Sequence, residues 1–232
     1  MSNEGRRALV TGSSSGIGLA VAQRLLAEGW QVSGWDVAPP AIEHPCFEPV
    51  KIDMLDGAAV DAAARAAGAP DALVHAAGVL RTGALGTLQP TDGEMMWGLH
   101  VQAITRLANH VLPAMAQAGR GRVVLVGSRV ARGIAGRSQY AATKAALASL
   151  ARSWAAEVVT RGVMVNIVSP AATQTPMLRD PAREQTPPRM PPIGRLIQPE
   201  EVASLAAYLL SPAAAAITGQ DIQICGGASL GA

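Results

Sequence analysis

The chain is poor in cysteine and in aromatic residues. Its 232 residues include two cysteines, Cys46 and Cys225, and only 3% aromatic residues. Two cysteines in unrelated segments cannot form a disulfide framework and do not have the spacing of metal ligands, so we expect a reduced, cytoplasmic protein without a metal site. So few aromatic rings leave little to stack on bases, which disfavours a protein that binds single-stranded nucleic acid.

Long apolar runs and charge of one sign are also absent. No run approaches the roughly 20 apolar residues that a membrane helix needs, and residues 1–5 lack the charged-then-apolar form of a signal peptide. The 19 basic and 17 acidic residues are interspersed, so no surface for nucleic acid or for a membrane is predicted. Because 49% of the residues are hydrophobic, the chain can bury one complete core, and we expect a single domain over residues 1–232.

Short apolar segments alternate with segments of helical periodicity along the chain. This alternation predicts an α/β fold of Rossmann type, a doubly wound parallel sheet of about seven strands with helices on both faces. The predicted strands are residues 7–11, 31–35, 49–53, 71–74, 123–127, 163–170 and 219–224. The predicted helices are residues 19–28, 57–67, 92–118, 140–156 and a last helix from residue 199.

A glycine-rich turn follows the first predicted strand. Thr11 leads into the sequence Gly-Ser-Ser-Ser-Gly-Ile-Gly, and helical periodicity begins after it. Small residues let the backbone approach a pyrophosphate closely, and the free N–H groups of a helix N-terminus receive its charge. The predicted contacts to the phosphates of a dinucleotide are Gly12, Ser14, Ser15, Gly16, Ile17 and Gly18.

Asp36 ends the second predicted strand, 18 residues after Gly18. A carboxylate at this place accepts hydrogen bonds from the ribose hydroxyls of adenosine and repels a 2′-phosphate. The sequence therefore predicts NAD as the cofactor and disfavours NADP. The alternative is that Asp36 is a solvated acid at a strand end.

Residues 128–144 carry the groups with the clearest chemistry. Ser128 follows an apolar run and so lies at the carboxyl end of a strand, where open parallel sheets place their ligand sites. Tyr140 and Lys144 are one turn apart in an Ala-rich segment, which places them on one helix face. A phenol has a reference pKa of about 10, and a neighbouring ammonium favours its ionised form, which suits acid–base catalysis. Alone, such a pair is more often a packed ring and a solvated stem.

The combined pattern resembles the short-chain dehydrogenase/reductase family. A strand-end serine, 11 intervening residues and Tyr-x-x-x-Lys are similar to the family's active-site segment, and Thr-Gly-x-x-x-Gly-x-Gly at residues 11–18 is similar to its cofactor turn. The resemblance covers nearly the whole chain and implies reversible hydride transfer between NAD and a secondary alcohol or ketone. It implies that Tyr140 transfers the proton, that Ser128 forms a hydrogen bond with the substrate oxygen, and that Lys144 activates the tyrosine.

The resemblance also implies cofactor contacts further along the chain. A third strand leads to residues that flank the adenine, small residues after the fourth strand pass the ribose, and residues after the sixth strand contact the nicotinamide. The implied contacts are Asp53, Met54, Ala76, Ala77, Gly78, Tyr140, Lys144, Pro170, Ala171, Thr173 and Thr175. Residues 171–198 are rich in proline and have no regular period, which predicts a substrate loop.

Three residues depart from the family pattern. His75 replaces an asparagine, and we expect it to hold the strand end by hydrogen bonds. Ala171 replaces a glycine. His100, which is 13 residues before Pro113, stands where the family has the asparagine whose backbone carbonyl holds a water in a proton relay; it could preserve that relay or titrate in its own right. These departures leave a second hypothesis, a catalytically weak NAD-binding protein that acts as a sensor or binding module.

Relatives pair through two long helices, predicted here at residues 92–118 and 139–161. The second helix carries small residues that allow close approach, among them Ala141, Ala142, Ala145, Ala146 and Ala148. We therefore expect a homo-oligomer, either a tetramer of two-fold symmetry or a dimer. The alternative is that these alanines only pack against the sheet.

The resemblance implies a small alcohol or ketone as substrate, and the sequence resembles two groups of relatives that differ in their substrate. Residues 76–81 and the C-terminal segments 220–222, 226–227 and 230–232 look like the bacterial dihydrodihydroxybenzoate dehydrogenases, whereas the loop from Ser128 to Tyr140 is more similar to that of 3-oxoacyl reductases. The first resemblance implies a cyclic alcohol with a carboxylate, which Arg81 or Arg129 could bind. Both arginines could equally be solvated loop residues.

Overall fold

A computed structural model describes residues 5–180 and 188–230. In this part of the chain, seven strands form one parallel sheet in the order β3, β2, β1, β4, β5, β6, β7. The strands are β1 (Arg7–Thr11), β2 (Gln31–Asp36), β3 (Phe47–Lys51), β4 (Ala72–His75), β5 (Gly121–Val126), β6 (Val163–Pro170) and β7 (Asp221–Ile224). The helices are α1 (Gly16–Ala27), α2 (Gly57–Ala67), α3 (Pro90–Trp97), α4 (Ala103–Gln117), α5 (Ser138–Val158) and α6 (Pro199–Leu210). The predicted fold class is confirmed.

Helices cover both faces of the sheet. Leu25 of α1 and Val202 of α6 belong to one buried cluster with Val10, and Leu107 of α4 and Leu147 of α5 belong to the cluster on the opposite face. Strands that are buried on both sides need largely apolar sequence, which is why β5 is apolar over residues 123–126 and β6 is apolar except at Asn166 and Ser169. None of the helices in the described part of the chain is long and apolar enough to cross a membrane.

The third strand is displaced from its predicted position at residues 49–53. It runs over Phe47–Lys51, with Phe47 opposite Val32 in the parallel register. The Phe47 ring packs against Gly34, where a Cβ would lie 2.3 Å from it. Asp53 and Met54 therefore follow the strand and do not belong to it.

The helix predicted over residues 92–118 begins at Pro90 and is interrupted. A π-helical turn, Gly98–Gln102, separates α3 from α4 and carries His100. Pro90 occupies the first position of α3, where the missing N–H costs nothing. Periodicity did not reveal the interruption, because one extra residue in a turn changes the spacing of apolar residues very little.

Candidate active site

The carboxyl ends of the strands open into a cavity of about 740 Å³. Its wall includes Gly12 after β1, Ala76 after β4, Ser128 after β5 and Ala171 after β6. The order of the sheet reverses between β1 and β4, which is where open parallel sheets bind ligands. Every residue that was predicted for catalysis or for cofactor binding lines this cavity except Ser14.

The glycine-rich turn has no room for side chains at two positions. Gly12 has a φ of +70°, and a Cβ there would lie 2.8 Å from the Ala77 nitrogen. A Cβ at Gly18 would lie 2.1 Å from the Gly12 carbonyl oxygen. The turn therefore packs directly against the end of β4, and the first residues of α1 face the cavity.

The Asp36 carboxylate is fixed by main-chain amides. The Ser14 N–H donates to one of its oxygens and the Ala38 N–H to the other, each at 2.9 Å. Ser14 thus supports Asp36 and does not itself line the cavity, and its direct contact with the cofactor stays a prediction. Val37 and Leu55 line the same end of the cavity with exposed apolar side chains, and no periodic pattern in the sequence marks them.

Tyr140 and Lys144 are both 7% exposed and line the cavity from α5. The Lys144 Nζ donates to the Val126 carbonyl at 2.9 Å and lies 5.8 Å from the centroid of the Tyr140 ring. Burial lowers the pKa of Lys144 to about 8. Ser128 Oγ accepts a hydrogen bond of 3.2 Å from the Val130 N–H, which caps the short helical turn Arg129–Arg132.

His75 connects two strand ends, as the sequence predicts. Its Nδ1 lies 2.9 Å from the Thr11 Oγ1, and that oxygen accepts from the Ala77 N–H at 3.2 Å. Burial, followed by the nearby charge of Lys144, lowers the pKa of His75 to about 3. Thr11 was not predicted as a site residue, because a polar residue at the end of an apolar strand does not reveal its partner.

His100 is fully buried, and both of its ring nitrogens have partners. The Val79 N–H donates to Nε2 at 3.0 Å, and Nδ1 lies 2.8 Å from the Thr143 Oγ1. Burial, and then the charges of Lys144 and His75, hold the pKa of His100 well below its usual value. This lowered pKa favours a neutral His100 over the alternative in which it titrates as a catalytic group. In the described part of the chain, no three His, Cys, Asp or Glu side chains are grouped to hold a metal ion.

Apolar side chains line the other half of the cavity, and the described lining residues also include the arginines Arg129, Arg137 and Arg189. Arg129 lines it, and no described residue accepts a hydrogen bond from its buried Nε. Arg81 does not line the cavity, because its guanidinium pairs with Asp180 at 2.8 Å and lies 3.9 Å from Asp92. The apolar side chains that line this half are Leu80, Leu99, Val130, Ile134, Met177 and Leu178.

The two ends of the predicted substrate loop are joined to each other. The Gln174 N–H donates to the Ile197 carbonyl at 2.8 Å, and the Ile197 N–H donates to the Ala172 carbonyl at 3.0 Å. Residues 181–187, the middle of this loop, lie outside the described residues. Ala171 carries its methyl group without backbone strain, since every described residue with a positive φ is a glycine.

Known proteins similar to this chain share one family. The family model for enoyl-(acyl carrier protein) reductase matches residues 12–229. The 3-oxoacyl-(acyl-carrier-protein) reductase of Vibrio cholerae is 36% identical over 241 residues, with 98% of each chain covered. The 2,3-dihydro-2,3-dihydroxybenzoate dehydrogenase of Escherichia coli K12 is 35% identical over 249 residues, with 100% of each covered.

Solved structures agree with these relatives. A short-chain dehydrogenase/reductase family protein superposes with a TM-score of 0.91 at 33% identity, with 100% of each chain covered. A 3-ketoacyl-(acyl-carrier-protein) reductase of Brucella melitensis in complex with NADH gives a TM-score of 0.88 at 29% identity, covering 98% of this chain and 100% of that one. The chain belongs to the short-chain dehydrogenase/reductase family, and it is an oxidoreductase that acts on CH–OH and C=O groups.

Proposed function

We propose that this protein is an NAD(H)-dependent enzyme that interconverts a secondary alcohol and a ketone. The observation that carries the proposal is that Ser128, Tyr140 and Lys144 line the same cavity as the glycine-rich turn and Asp36. The proposed proton-transfer groups and the proposed dinucleotide site therefore share one cavity. The proposal places this cavity in a single domain over residues 1–232, with residues 171–198 as its substrate loop.

The residues present fit a dinucleotide. Phosphates need a turn without side chains at a helix N-terminus, and here a Cβ at Gly12 or Gly18 would collide with main-chain atoms. The Asp36 carboxylate, which two amides already orient, has further lone pairs for the ribose hydroxyls. Its charge opposes a 2′-phosphate, which supports NAD over NADP.

The glycine-rich turn and Asp36 would hold the dinucleotide, whose nicotinamide would supply hydride acceptance from the alcohol carbon and, in the reverse direction, hydride donation to the carbonyl carbon. Tyr140 takes the hydroxyl proton in oxidation and returns it in reduction, so that the alcohol loses one hydride and one proton. Ser128 donates a hydrogen bond to the substrate oxygen as charge develops on it. The Lys144 ammonium favours the ionised form of the phenol through its charge.

The substrate carries an anionic group that Arg129 binds. This guanidinium lines the substrate half of the cavity with a buried, unpartnered Nε, and a guanidinium is suited to a carboxylate. The acidic side chains among the described lining residues, Asp36 and Asp53, belong to the proposed adenosine half, and the lining also includes the cations Arg137 and Arg189. The chemistry fits a compact ring or chain with one carboxylate.

Two experiments test these assignments. Purified protein is first mixed with NAD and a panel of secondary alcohols, and NADH formation is followed by absorbance. If the protein binds NAD tightly but oxidises none of the alcohols, the result would support the binding-module hypothesis instead. A cyclic dihydrodiol carboxylate is then compared with its carboxamide in wild type, Arg129→Met and the control Arg81→Met.

We expect Arg129→Met to raise the KM for the carboxylate by roughly tenfold or more, because a charged hydrogen bond is lost, and to leave the carboxamide nearly unchanged. Arg81→Met removes a cation of the same size that is already paired with Asp180. This substitution should therefore change the KM values of the two substrates by the same factor. Equal effects on both substrates would reject the anion and favour a neutral ketone or alcohol.

The proposal also covers the cellular compartment and the oligomeric state of the enzyme. Cys46 and Cys225 are both free thiols, which supports work in the reducing cytoplasm. On α5, Ala142 is exposed, and Ala145, Ala146 and Ala148 are partly exposed, which supports a homo-oligomer that pairs through this helix. Ala141 is buried in the protomer, so the alternative of packing against the protein's own core holds for that alanine.

A further inference from the structure

His100 lies between two parts of the proposed site, the main chain at residues 78–79 and the helix α5. On one side it contacts Val79, which follows the Gly78 that lines the cavity beside Lys144. On the other side it contacts Thr143 in the first turns of α5, the helix that carries Tyr140. Its ring also meets the Tyr140 ring edge to face, with 5.5 Å between centroids.

The directions of these hydrogen bonds are fixed by one donor. The Val79 main-chain N–H can only donate, so His100 Nε2 accepts and carries no proton. The ring proton therefore lies on Nδ1 and is donated to the Thr143 Oγ1, and the Thr143 hydroxyl proton is donated in turn to the Tyr140 carbonyl at 2.8 Å. In this series of hydrogen bonds, Val79 donates to His100, His100 donates to Thr143, and Thr143 donates to the Tyr140 carbonyl, so each donor has one acceptor.

Two local features make room for this arrangement. A Cβ at Gly78 would lie 3.0 Å from His100 Nε2, so a glycine at this position lets the imidazole reach the Val79 N–H. His100 also belongs to the π-helical turn Gly98–Gln102, and such turns occur often at functional sites because they redirect one side chain.

We infer that His100 is a positioning residue, which joins the Gly78–Val79 main chain to the first turns of α5 through an accepting Nε2 and a donating Nδ1, and so holds Tyr140 in register with the cofactor site. This inference rests on the proposed function for its catalytic consequence. The titratable groups that face His100 are Lys144, His75 and Tyr140. Protonation of His100 would add a cation beside Lys144 and would set an N–H against the Val79 N–H.

Tyrosine signals give a test that does not depend on turnover. The chain has two tyrosines, Tyr140 and Tyr208, so ¹³C-labelled tyrosine gives two sets of ring signals that Tyr208→Phe assigns. We expect Thr143→Val, which removes the central hydroxyl at nearly constant shape, to shift or broaden the Tyr140 signals and to leave those of Tyr208 in place. Thr143→Ser, which keeps the hydroxyl, should restore the wild-type signals.

Substitutions of His100 separate the two hydrogen bonds. His100→Asn keeps a donor near the Nδ1 position and His100→Gln keeps an acceptor near the Nε2 position, so each should lower kcat by roughly tenfold. Because His100 does not titrate in this role, the acid limb of the pH profile of kcat should be the same in His100→Asn as in wild type. ¹⁵N spectra of labelled histidine should show the proton of His100 on Nδ1.

The outcomes are distinct. A proton on Nε2, or Tyr140 signals that do not respond to Thr143→Val, would overturn the inference. Loss of the acid limb in His100→Asn would also overturn it and would make His100 a proton-transfer group. If wild type turned over no alcohol or ketone, the proposed function would fail, while the histidine and tyrosine spectra would still decide whether His100 holds Tyr140.

Discussion

The Lys144 ammonium donates a hydrogen bond of 2.9 Å to the main-chain carbonyl of Val126, the last residue of β5. This bond fastens the helix that carries Tyr140 to the strand that leads into Ser128. One hydrogen bond thus links the elements that carry the three proposed catalytic groups, in addition to the packing of α5 against the sheet. Because burial already lowers the pKa of Lys144 to about 8, the ammonium is retained at pH 7 and is lost as the pH rises above that value.

Substitutions of Tyr140 and Lys144 should have different effects. Tyr140→Phe removes the hydroxyl that transfers the proton, so we expect nearly complete loss of kcat with NAD affinity largely kept. Lys144→Met removes a charge beside the phenol and the proposed contact to the cofactor ribose, so both turnover and NAD affinity should fall. Steady-state kinetics and NAD titration measure the two effects. Substantial activity in Tyr140→Phe would contradict the assignment of Tyr140 as the proton donor.

Wild type should bind NAD more tightly than NADP. A 2′-phosphate placed about 4 Å from the Asp36 carboxylate meets a repulsion of about 1 kcal/mol per pair of charges even in water. Asp36→Asn keeps the size of the side chain and removes the charge, so the ratio of NADP to NAD affinity should rise severalfold. Fluorescence titration of both cofactors checks this. Equal affinities in wild type would remove Asp36 from this role.

Stability should decrease in acid partly because of His75. Its folded pKa of about 3 is below the ordinary value of 6.5, so the unfolded chain takes up a proton that the folded protein does not. The contribution of His75 is complete above pH 6.5 and is lost as the pH falls towards 3, by up to about 1.4 kcal/mol per pH unit. Urea unfolding at pH 7, 6 and 5 should give a steeper loss for wild type than for His75→Asn. Parallel losses would contradict the burial of a neutral His75.

Gly18→Ala should prevent the glycine-rich turn from forming. The added Cβ would lie 2.1 Å from the Gly12 carbonyl oxygen, and main chain cannot move aside cheaply. We expect a loss of roughly 3 kcal/mol or more in the free energy of unfolding together with loss of NAD binding. Gly57→Ala is a matched control, because its Cβ would meet the flexible end of the Arg106 side chain. Urea unfolding of both variants should separate them clearly, and similar stabilities would show that the turn tolerates a side chain.

The protein should be a homo-oligomer in solution, with a tetramer of two-fold symmetry preferred over a dimer. Light scattering at micromolar concentration gives the mass directly. Ala142 is exposed on α5, so Ala142→Glu would place a charge in the proposed interface and should lower the measured mass without unfolding the protomer. A monomeric wild type would reject pairing through α5.

The sequence by itself determined the fold class and most of the cavity wall. Apolar periodicity and glycine positions are local properties, so the strands of residues 7–11 and 163–170, the helix of residues 57–67 and the turn at Gly12 were predicted at their observed places. The spacing of Ser128, Tyr140 and Lys144 predicted that they lie at a strand end and on one helix face, because these are local properties too, whereas their catalytic roles rest on the family resemblance.

Only the tertiary structure decided which distant polar groups meet. It placed the Ser14 N–H against the Asp36 carboxylate and paired the Arg81 guanidinium with Asp180 outside the cavity. It also joined His100 to Val79 and Thr143 by hydrogen bonds. These contacts join residues that are 21 positions apart, in the case of His100 with Val79, to 99 positions apart, in the case of Arg81 with Asp180. Hydrogen bonds of this kind depend on the crossing of separate elements and on the burial that it causes, and neither leaves a periodic signal in the sequence.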